Sequence, residues 1–149
     1  MAWQVKCSDN DCKKNTWASN IVNLIRERCD EDGWFTCRCG KPGYTEKEFK
    51  LQEEGQKWRP FLRGAKILEN LSETYFPFVF LVSYKKDNPV TDVWFCYYKD
   101  LRNNNGKLKL GHGPGGPPVL DKRSLLDLLR HLTKIGYLSS KDIGNLVNK

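Results

Sequence analysis

The pattern of apolar and polar residues predicts three consecutive β-strands in the second half of the chain. Residues 76–84 and 92–98 are rich in β-branched and aromatic side chains, and a polar loop separates them, which is typical of a hairpin. Both faces of these two strands are apolar, so we expect them to be central in a sheet and covered on both sides. Residues 107–110 alternate between lysine and leucine after an Asn-Gly turn. The segment is therefore predicted to form an antiparallel meander.

Two helices are predicted after the meander. The first begins at Asp121, a residue type that caps helices, and ends near Gly136. Ser139 or Ser140 is placed to cap a second, shorter helix that runs through Val147. We expect this helical hairpin to close the open face of the sheet. A DNA-reading helix-turn-helix fits less well, because the last helix offers few side chains for base contacts. The apolar face of the first helix consists of Leu125, Leu128, Leu129 and Leu132.

Shorter elements are predicted in the N-terminal half. Residues 3–7 alternate as a strand does, and apolar residues recur with helical period in 18–30. An aromatic run in 33–37 indicates a second strand. Residues 44–52 are interpreted as a returning strand, and a capping-box pattern there also fits the start of a helix. A short helix is expected around 65–71. These elements predict an α+β fold, with an antiparallel β-meander followed by a C-terminal helical hairpin.

Four cysteines form two close pairs in the N-terminal third. Cys7 and Cys12 have four residues between them, and Cys37 and Cys39 have one. Zinc binds four thiolates at about 2.3 Å in a tetrahedral arrangement, so its ligands arrive as two tight turns that face each other. The spacing of the first pair fits such a turn, whereas that of the second is tighter than the usual two residues. We expect these four thiols to hold one structural zinc ion.

The two cysteine pairs resemble the knuckles of zinc-ribbon or treble-clef modules. The resemblance covers residues 1–54, with a helix inserted between the pairs, and implies a metal site that stabilises the fold without catalysis. Residues 55–149 are expected to form a second, α+β domain. Iron–sulfur ligation by the same thiols is less favoured at these spacings. A catalytic zinc site is set aside, because no histidine occurs in the first hundred residues.

The other two cysteines are interpreted as core residues. Cys29 falls on the apolar stripe of the predicted helix, where a thiol behaves as a small hydrophobe. It is the alternative fourth ligand if the tight pair of Cys37 and Cys39 cannot supply two. Cys96 lies in a predicted strand among aromatic residues, which indicates packing and not nucleophilic chemistry.

Positive charge is concentrated in the second half of the chain. The net charge is +7, and residues 76–149 contain twelve Lys/Arg against six Asp/Glu. Such a surplus favours an anionic partner, most commonly nucleic acid, although it can also serve solubility alone. Aromatic side chains beside lysines at strand ends could stack on unpaired bases, while most other rings are expected in the core. The predicted nucleic-acid-binding residues are Tyr84, Lys85, Lys86, Tyr98, Lys99, Arg102, Lys107 and Lys109.

Together these features predict a non-catalytic nucleic-acid-binding protein that is stabilised by structural zinc. The alternative is a protein–protein interaction adaptor, in which the zinc module and the terminal helices dock on partner proteins. A nuclease is a weaker third hypothesis, because the sequence offers no carboxylate cluster for a divalent metal. The chain has no signal-peptide pattern and no apolar run of ~18 residues. We therefore expect a cytoplasmic protein without membrane contact, in which clustered thiols stay reduced.

Overall fold

The chain folds as an α+β protein, as predicted. The computed structural model describes residues 3–14, 16–46, 49–50, 57–86, 88–111 and 118–147. Seven of the described strands form one antiparallel sheet in the order β2-β1-β3-β6-β7-β8-β9, and β4 pairs with β5 in a separate ladder. The elements are β1 Trp3–Cys7, β2 Thr16–Ala18, α1 Ile21–Arg28, β3 Gly43–Glu46, β4 Phe49–Lys50, β5 Lys57–Trp58, β6 Phe61–Ile67, β7 Tyr75–Ser83, β8 Asp92–Asp100, a 3-10 turn Arg102–Asn104, β9 Leu108–Gly111, α2 Lys122–Lys134 and α3 Ser140–Val147.

The chain divides into two compact units. The N-terminal unit comprises Met1–Lys66 and Val79–Phe95, and the C-terminal unit comprises Ile67–Phe78 and Cys96–Lys149. The predicted boundary between the modules 1–54 and 55–149 lies outside the described residues, so that division stays a prediction. Among the described residues, no helix is both long and apolar enough to cross a membrane.

In the N-terminal unit, β1 pairs with β2 on one side and β3 on the other. The predicted strand at 3–7 is thereby confirmed. The helix begins at Ile21, three residues later than predicted, because residues 16–18 pair with β1 as a short strand. Asn20 caps α1, and its side-chain oxygen accepts a hydrogen bond from the Asn23 N–H at 2.9 Å. The apolar residues of α1 are buried, namely Ile21, Val22, Leu24 and Ile25.

The helix predicted around 65–71 is wrong, because residues 61–67 form strand β6. The N–H of Ala65 donates to the Gly33 carbonyl at 2.8 Å, and the N–H of Phe35 donates to the Arg63 carbonyl at 2.9 Å. A Cβ at Gly64 would overlap the Gly33 carbonyl oxygen, so only glycine allows this close approach. Residues 34–36, expected to be a strand, form isolated bridges with Gly64 and other residues instead of a continuous ladder.

Strands β7, β8 and β9 confirm the predicted meander. Residues 78–83 of β7 are all buried, as expected for a central strand. Strand β9 pairs antiparallel with β8, and the register places Lys99 opposite Lys109. The preceding turn contains Asn105 in the left-handed region, at φ 56°. The loop expected after β9 lies mostly at 112–117, outside the described residues.

The C-terminal unit contains the predicted helices. Asp121 caps α2 by accepting a hydrogen bond from the Ser124 N–H at 2.7 Å. The hydroxyl of Ser124 donates to the Glu69 carbonyl at 2.6 Å, and the carboxylate of Asp127 accepts from the Glu69 N–H at 3.0 Å. These bonds turn a partly polar face of α2 inward.

The predicted apolar face of α2 is therefore only half correct. Leu128 and Leu132 are buried, but Leu125 and Leu129 remain 46% and 39% exposed. Ser124 and two other polar residues of α2 are buried instead of those two leucines, because the inward face of the helix also makes hydrogen bonds to the backbone.

Candidate metal centre

The first pair of cysteines lies in a turn that follows β1. Cys7 is the last residue of the strand, and the Cys12 N–H donates to the Asp9 carbonyl at 3.2 Å. The side chain of Asp9 accepts a further hydrogen bond from the Asp11 N–H at 3.0 Å. The turn chemistry of Asp9 thus brings Cys12 back towards Cys7.

The second pair lies in a tighter turn. The Gly40 N–H donates to the Cys37 carbonyl and the Cys37 N–H donates to the Lys41 carbonyl, both at 2.9 Å. Gly40 has φ +85°, a left-handed conformation that glycine adopts without strain. This closed turn accounts for how two thiols with a single residue between them can converge on one point.

The four thiols of Cys7, Cys12, Cys37 and Cys39 converge on one point. All four sulfurs lie within 4.8 Å of one another. The Cys7 and Cys39 sulfurs are 3.5 Å apart, and the Cys12 and Cys37 sulfurs are 3.8 Å apart. A disulfide bond would bring two sulfurs to about 2.05 Å, so the separations are those of free thiols. The group could hold one metal ion.

Two of these thiols differ in acidity. The backbone N–H of Lys41 donates to the Cys39 sulfur and lowers the pKa of this thiol to about 7. Burial raises the pKa of Cys7 to about 12, and its hydrogen bonds to neighbouring thiols act in the same direction. A metal ion binds thiolates, so loading the group would release the protons that the thiols still carry.

Polar contacts and one glycine join the two turns. The Ser8 N–H and hydroxyl both donate to the Pro42 carbonyl, at 3.0 and 2.7 Å, and the Lys41 ammonium pairs with the Asp9 carboxylate. A Cβ on Gly43 would lie 2.5 Å from a methyl carbon of Val5. Gly43 thus lets β3 approach β1, and no local sequence pattern indicates this role, because it depends on the pairing of two strands that are distant along the chain.

Cys29 lies outside the thiol group. Its thiol donates to the Ala65 carbonyl at 3.4 Å, and burial raises its pKa to about 12. Cys96 is buried in β8. Neither residue belongs to the four-thiol group in the described part of the chain.

Three of the predicted nucleic-acid contacts lie in the N-terminal unit, in the loop after β7. Tyr84 is 49% exposed, and Lys85 is exposed beside it. Lys86 is engaged within its own unit. Its ammonium donates to the Asn10 side-chain oxygen at 2.5 Å and lies 5.7 Å from the centre of the Tyr44 ring. Since Asn10 belongs to the first cysteine turn, Lys86 connects this loop to the four-thiol group.

The other five predicted contacts lie in the C-terminal unit. Lys99 in β8, Lys109 in β9 and Lys107, which directly precedes β9, are exposed. The Arg102 guanidinium makes two hydrogen bonds to the Asp100 carboxylate, at 2.6 and 2.8 Å. Tyr98 is fully buried, and its ring stacks on that of Phe76 with a centroid distance of 4.7 Å. The Tyr98 ring is thus part of the core, where it has no face to offer a base.

Comparisons with known proteins do not assign the chain to a family. No family model matches the sequence, and no curated protein or solved structure has significant similarity to the chain.

Proposed function

We propose that Cys7, Cys12, Cys37 and Cys39 hold one structural zinc ion in a zinc-ribbon-like module. Ligands at about 2.3 Å from a tetrahedral ion lie about 3.8 Å from one another. The sulfur separations of 3.5 and 3.8 Å support this arrangement. Four thiolates favour zinc over hard cations such as magnesium. With four protein ligands the site is closed, so the metal stabilises the fold and leaves no position for a substrate.

Metal content tests this proposal. Elemental analysis of protein purified without added zinc should give about one zinc per chain, the number that four thiolates hold. The Cys37→Ser variant should lose the metal, whereas Cys29→Ser, which changes a thiol outside the group, should keep it. Metal-free wild-type protein, or equal loss in both variants, would contradict the proposal.

We propose that the chain binds nucleic acid, and the main support is the position of three lysines at one edge of the sheet. Lys99 and Lys109 are directly opposed in the antiparallel register of β8 and β9, and both are exposed. Like charges at this position repel each other and destabilise a sheet. Lys107 directly precedes β9 and adds a third exposed cation at this edge. A phosphate backbone along this edge would relieve the repulsion and release counterions. We call these three lysines the lysine edge.

Salt dependence tests this function directly. Fluorescence anisotropy with labelled single-stranded and double-stranded oligonucleotides should give an affinity that falls steeply from low to moderate salt. The double variant Lys99→Ala/Lys109→Ala should reduce the slope of log K against log salt by about 2, since each lysine contributes about one phosphate contact. Lys141→Ala, an exposed lysine on α3, is the control and should reduce it less. An affinity that is independent of salt would contradict the proposal.

A protein-interaction adaptor remains the second candidate, because a different observation favours it. Leucine side chains on the outer side of α2 are exposed, and contiguous exposed apolar residues mark interaction sites. Binding through such a surface would depend little on salt, which separates it from binding at the lysine edge.

A further inference from the structure

Helix α2 has an outward apolar surface in addition to its buried face. Leu125, Leu126 and Leu129 are 46%, 43% and 39% exposed. Leu125 and Leu129 are one helical turn apart, so their side chains lie on the same side of the helix. An exposed apolar stripe of this kind costs solubility, and contiguous exposed apolar residues mark interaction sites.

Beside this stripe lies a cavity of about 650 Å³. Leu126 of α2 and Leu71, which is 76% exposed, provide its apolar lining. Cavities of roughly 300–1,000 Å³ accommodate whole side chains or small ligands. An open groove of this size has room for apolar side chains that a partner inserts.

The rim of the cavity is predominantly cationic. Lys122, Arg123 and Arg130 line it. Two acidic residues also line it, but the carboxylate of Asp121 is engaged in capping α2 through the Ser124 N–H. The surplus of positive charge around an apolar centre therefore selects a partner that carries apolar and acidic side chains together.

We propose that this groove binds an acidic amphipathic helix of another protein. Apolar side chains of that helix, spaced at i and i+4, would enter between Leu71 and Leu126 and cover Leu129. Its Asp and Glu residues would pair with Lys122, Arg123 and Arg130, and the arginines can hold carboxylates in two-point contacts. This inference is independent of the nucleic-acid function proposed for the lysine edge.

The charges and the apolar lining disfavour three other occupants of this groove. In a symmetric dimer formed around α2, the two-fold contact would bring the same cations of both copies together. An anionic membrane presents headgroups and no apolar side chains at the groove, so it would leave the lining of Leu71 and Leu126 in water. Nucleic acid would contact the cations but leave the leucines in water.

The probe is a synthetic peptide of about 16 residues, roughly four helical turns, with leucine at i and i+4 and glutamate elsewhere. It is titrated into the isotope-labelled full chain, loaded with zinc, and followed by NMR. We expect shifts confined to residues 69–71 and α2. A peptide with lysine in place of glutamate should not bind.

Two variants and a control locate the site. Leu126→Glu and Arg130→Glu should each weaken peptide binding by about tenfold or more, as expected for central contacts. Lys141→Glu, the same charge change on α3, should alter it less than about threefold. All three positions are exposed, so circular dichroism should report unchanged folding. Oligonucleotide affinity should survive Leu126→Glu, which separates failure of this proposal from failure of the nucleic-acid function.

Several results would overturn the proposal. One is no binding of the acidic peptide at about 1 mM, the range of the weakest specific complexes. Another is binding that Arg130→Glu leaves unchanged. Binding of vesicles with anionic headgroups that Leu126→Glu abolishes would assign the groove to a membrane. A dimer in sedimentation that the same variant dissociates would assign it to a second copy of the chain.

Discussion

The cysteine turns and the helix α2 are stabilised in different ways. The turns bury little apolar surface of their own, and three of their four cysteines are only partly buried. Short hydrogen bonds and the Lys41–Asp9 ion pair join them. Helix α2 instead has buried leucines, a capping aspartate and two buried polar residues that bind the backbone at Glu69. The proposed zinc ion would therefore add its stabilisation to the cysteine turns, while α2 is held by residues of the chain.

The stability of the cysteine turns is therefore expected to depend on bound metal, whereas the stability of α2 is not. A group of four thiols without metal contributes weak hydrogen bonds, whereas a bound structural zinc contributes free energy directly to folding. The N-terminal unit is therefore expected to respond to metal supply, and the C-terminal unit is not.

Metal removal should have the largest effect. Structural zinc sites in small modules contribute about 10–16 kcal/mol of apparent binding free energy. In Cys12→Ser, or in wild-type protein treated with a chelator, residues 7–12 and 37–43 should lose protection against hydrogen exchange. Helix α2 should keep its protection. Equal loss in both regions would show that their stabilities are not separate.

Gly64→Ala should have the second largest effect. The added methyl group would overlap the Gly33 carbonyl oxygen, and overpacking of this kind costs about 1–3 kcal/mol. Denaturant unfolding should report the loss. Gly144→Ala is the matched control, because a Cβ there meets nothing within 4 Å; in mid-helix it should stabilise by about 0.5–1 kcal/mol. A neutral Gly64→Ala variant would contradict the close approach of β6 to Gly33.

Loss of the buried carboxylate of α2 should have an intermediate effect. Asp127→Ala leaves the Glu69 N–H without its acceptor and should cost about 1–3 kcal/mol. Asp127→Asn keeps a side-chain oxygen and should cost less. Zinc content should be unchanged in both variants, because the contact lies in the C-terminal unit. A lower metal content in Asp127→Ala would show that the two regions are coupled.

Lowering the pH should have the smallest effect on stability. The Ser139 hydroxyl and N–H donate to the Asp142 carboxylate at the start of α3 and hold its pKa below the ordinary 3.8. Because the folded pKa is below the unfolded value, this stabilisation is complete above pH 3.8 and is lost as the pH falls through the folded pKa. NMR shifts of α3 should report the transition. In Asp142→Asn the transition should be absent; if it persists, another group is responsible.

The cysteine group could be predicted from sequence because its signal is local and chemical. Cys7 with Cys12, and Cys37 with Cys39, are pairs of one reactive residue type at short spacing, and the structure brings all four together. The meander was predictable for a similar reason, since its strands follow one another along the chain.

Predictions failed where a distant partner decides the structure. Residues 61–67 form a strand because they pair with β3 and meet Gly33, and nothing within the segment itself encodes those partners. The leucine spacing of α2 correctly indicated a helix, but a period does not reveal which part of an apolar face is covered. Backbone contacts of Ser124 and Asp127 set that choice.

The strand order has a consequence for self-association. Among the described strands, β2 and β9 are the outer members of the sheet, and an unpaired strand edge can recruit another chain into an aggregate. Strand β2 has only three residues, which offers little length for such pairing. At the other edge, Lys109 in β9 and the adjacent Lys107 repel a second copy of the same edge. The lysines proposed to meet phosphate thus also protect the sheet, so removing them to weaken nucleic-acid binding should make the protein more prone to aggregate.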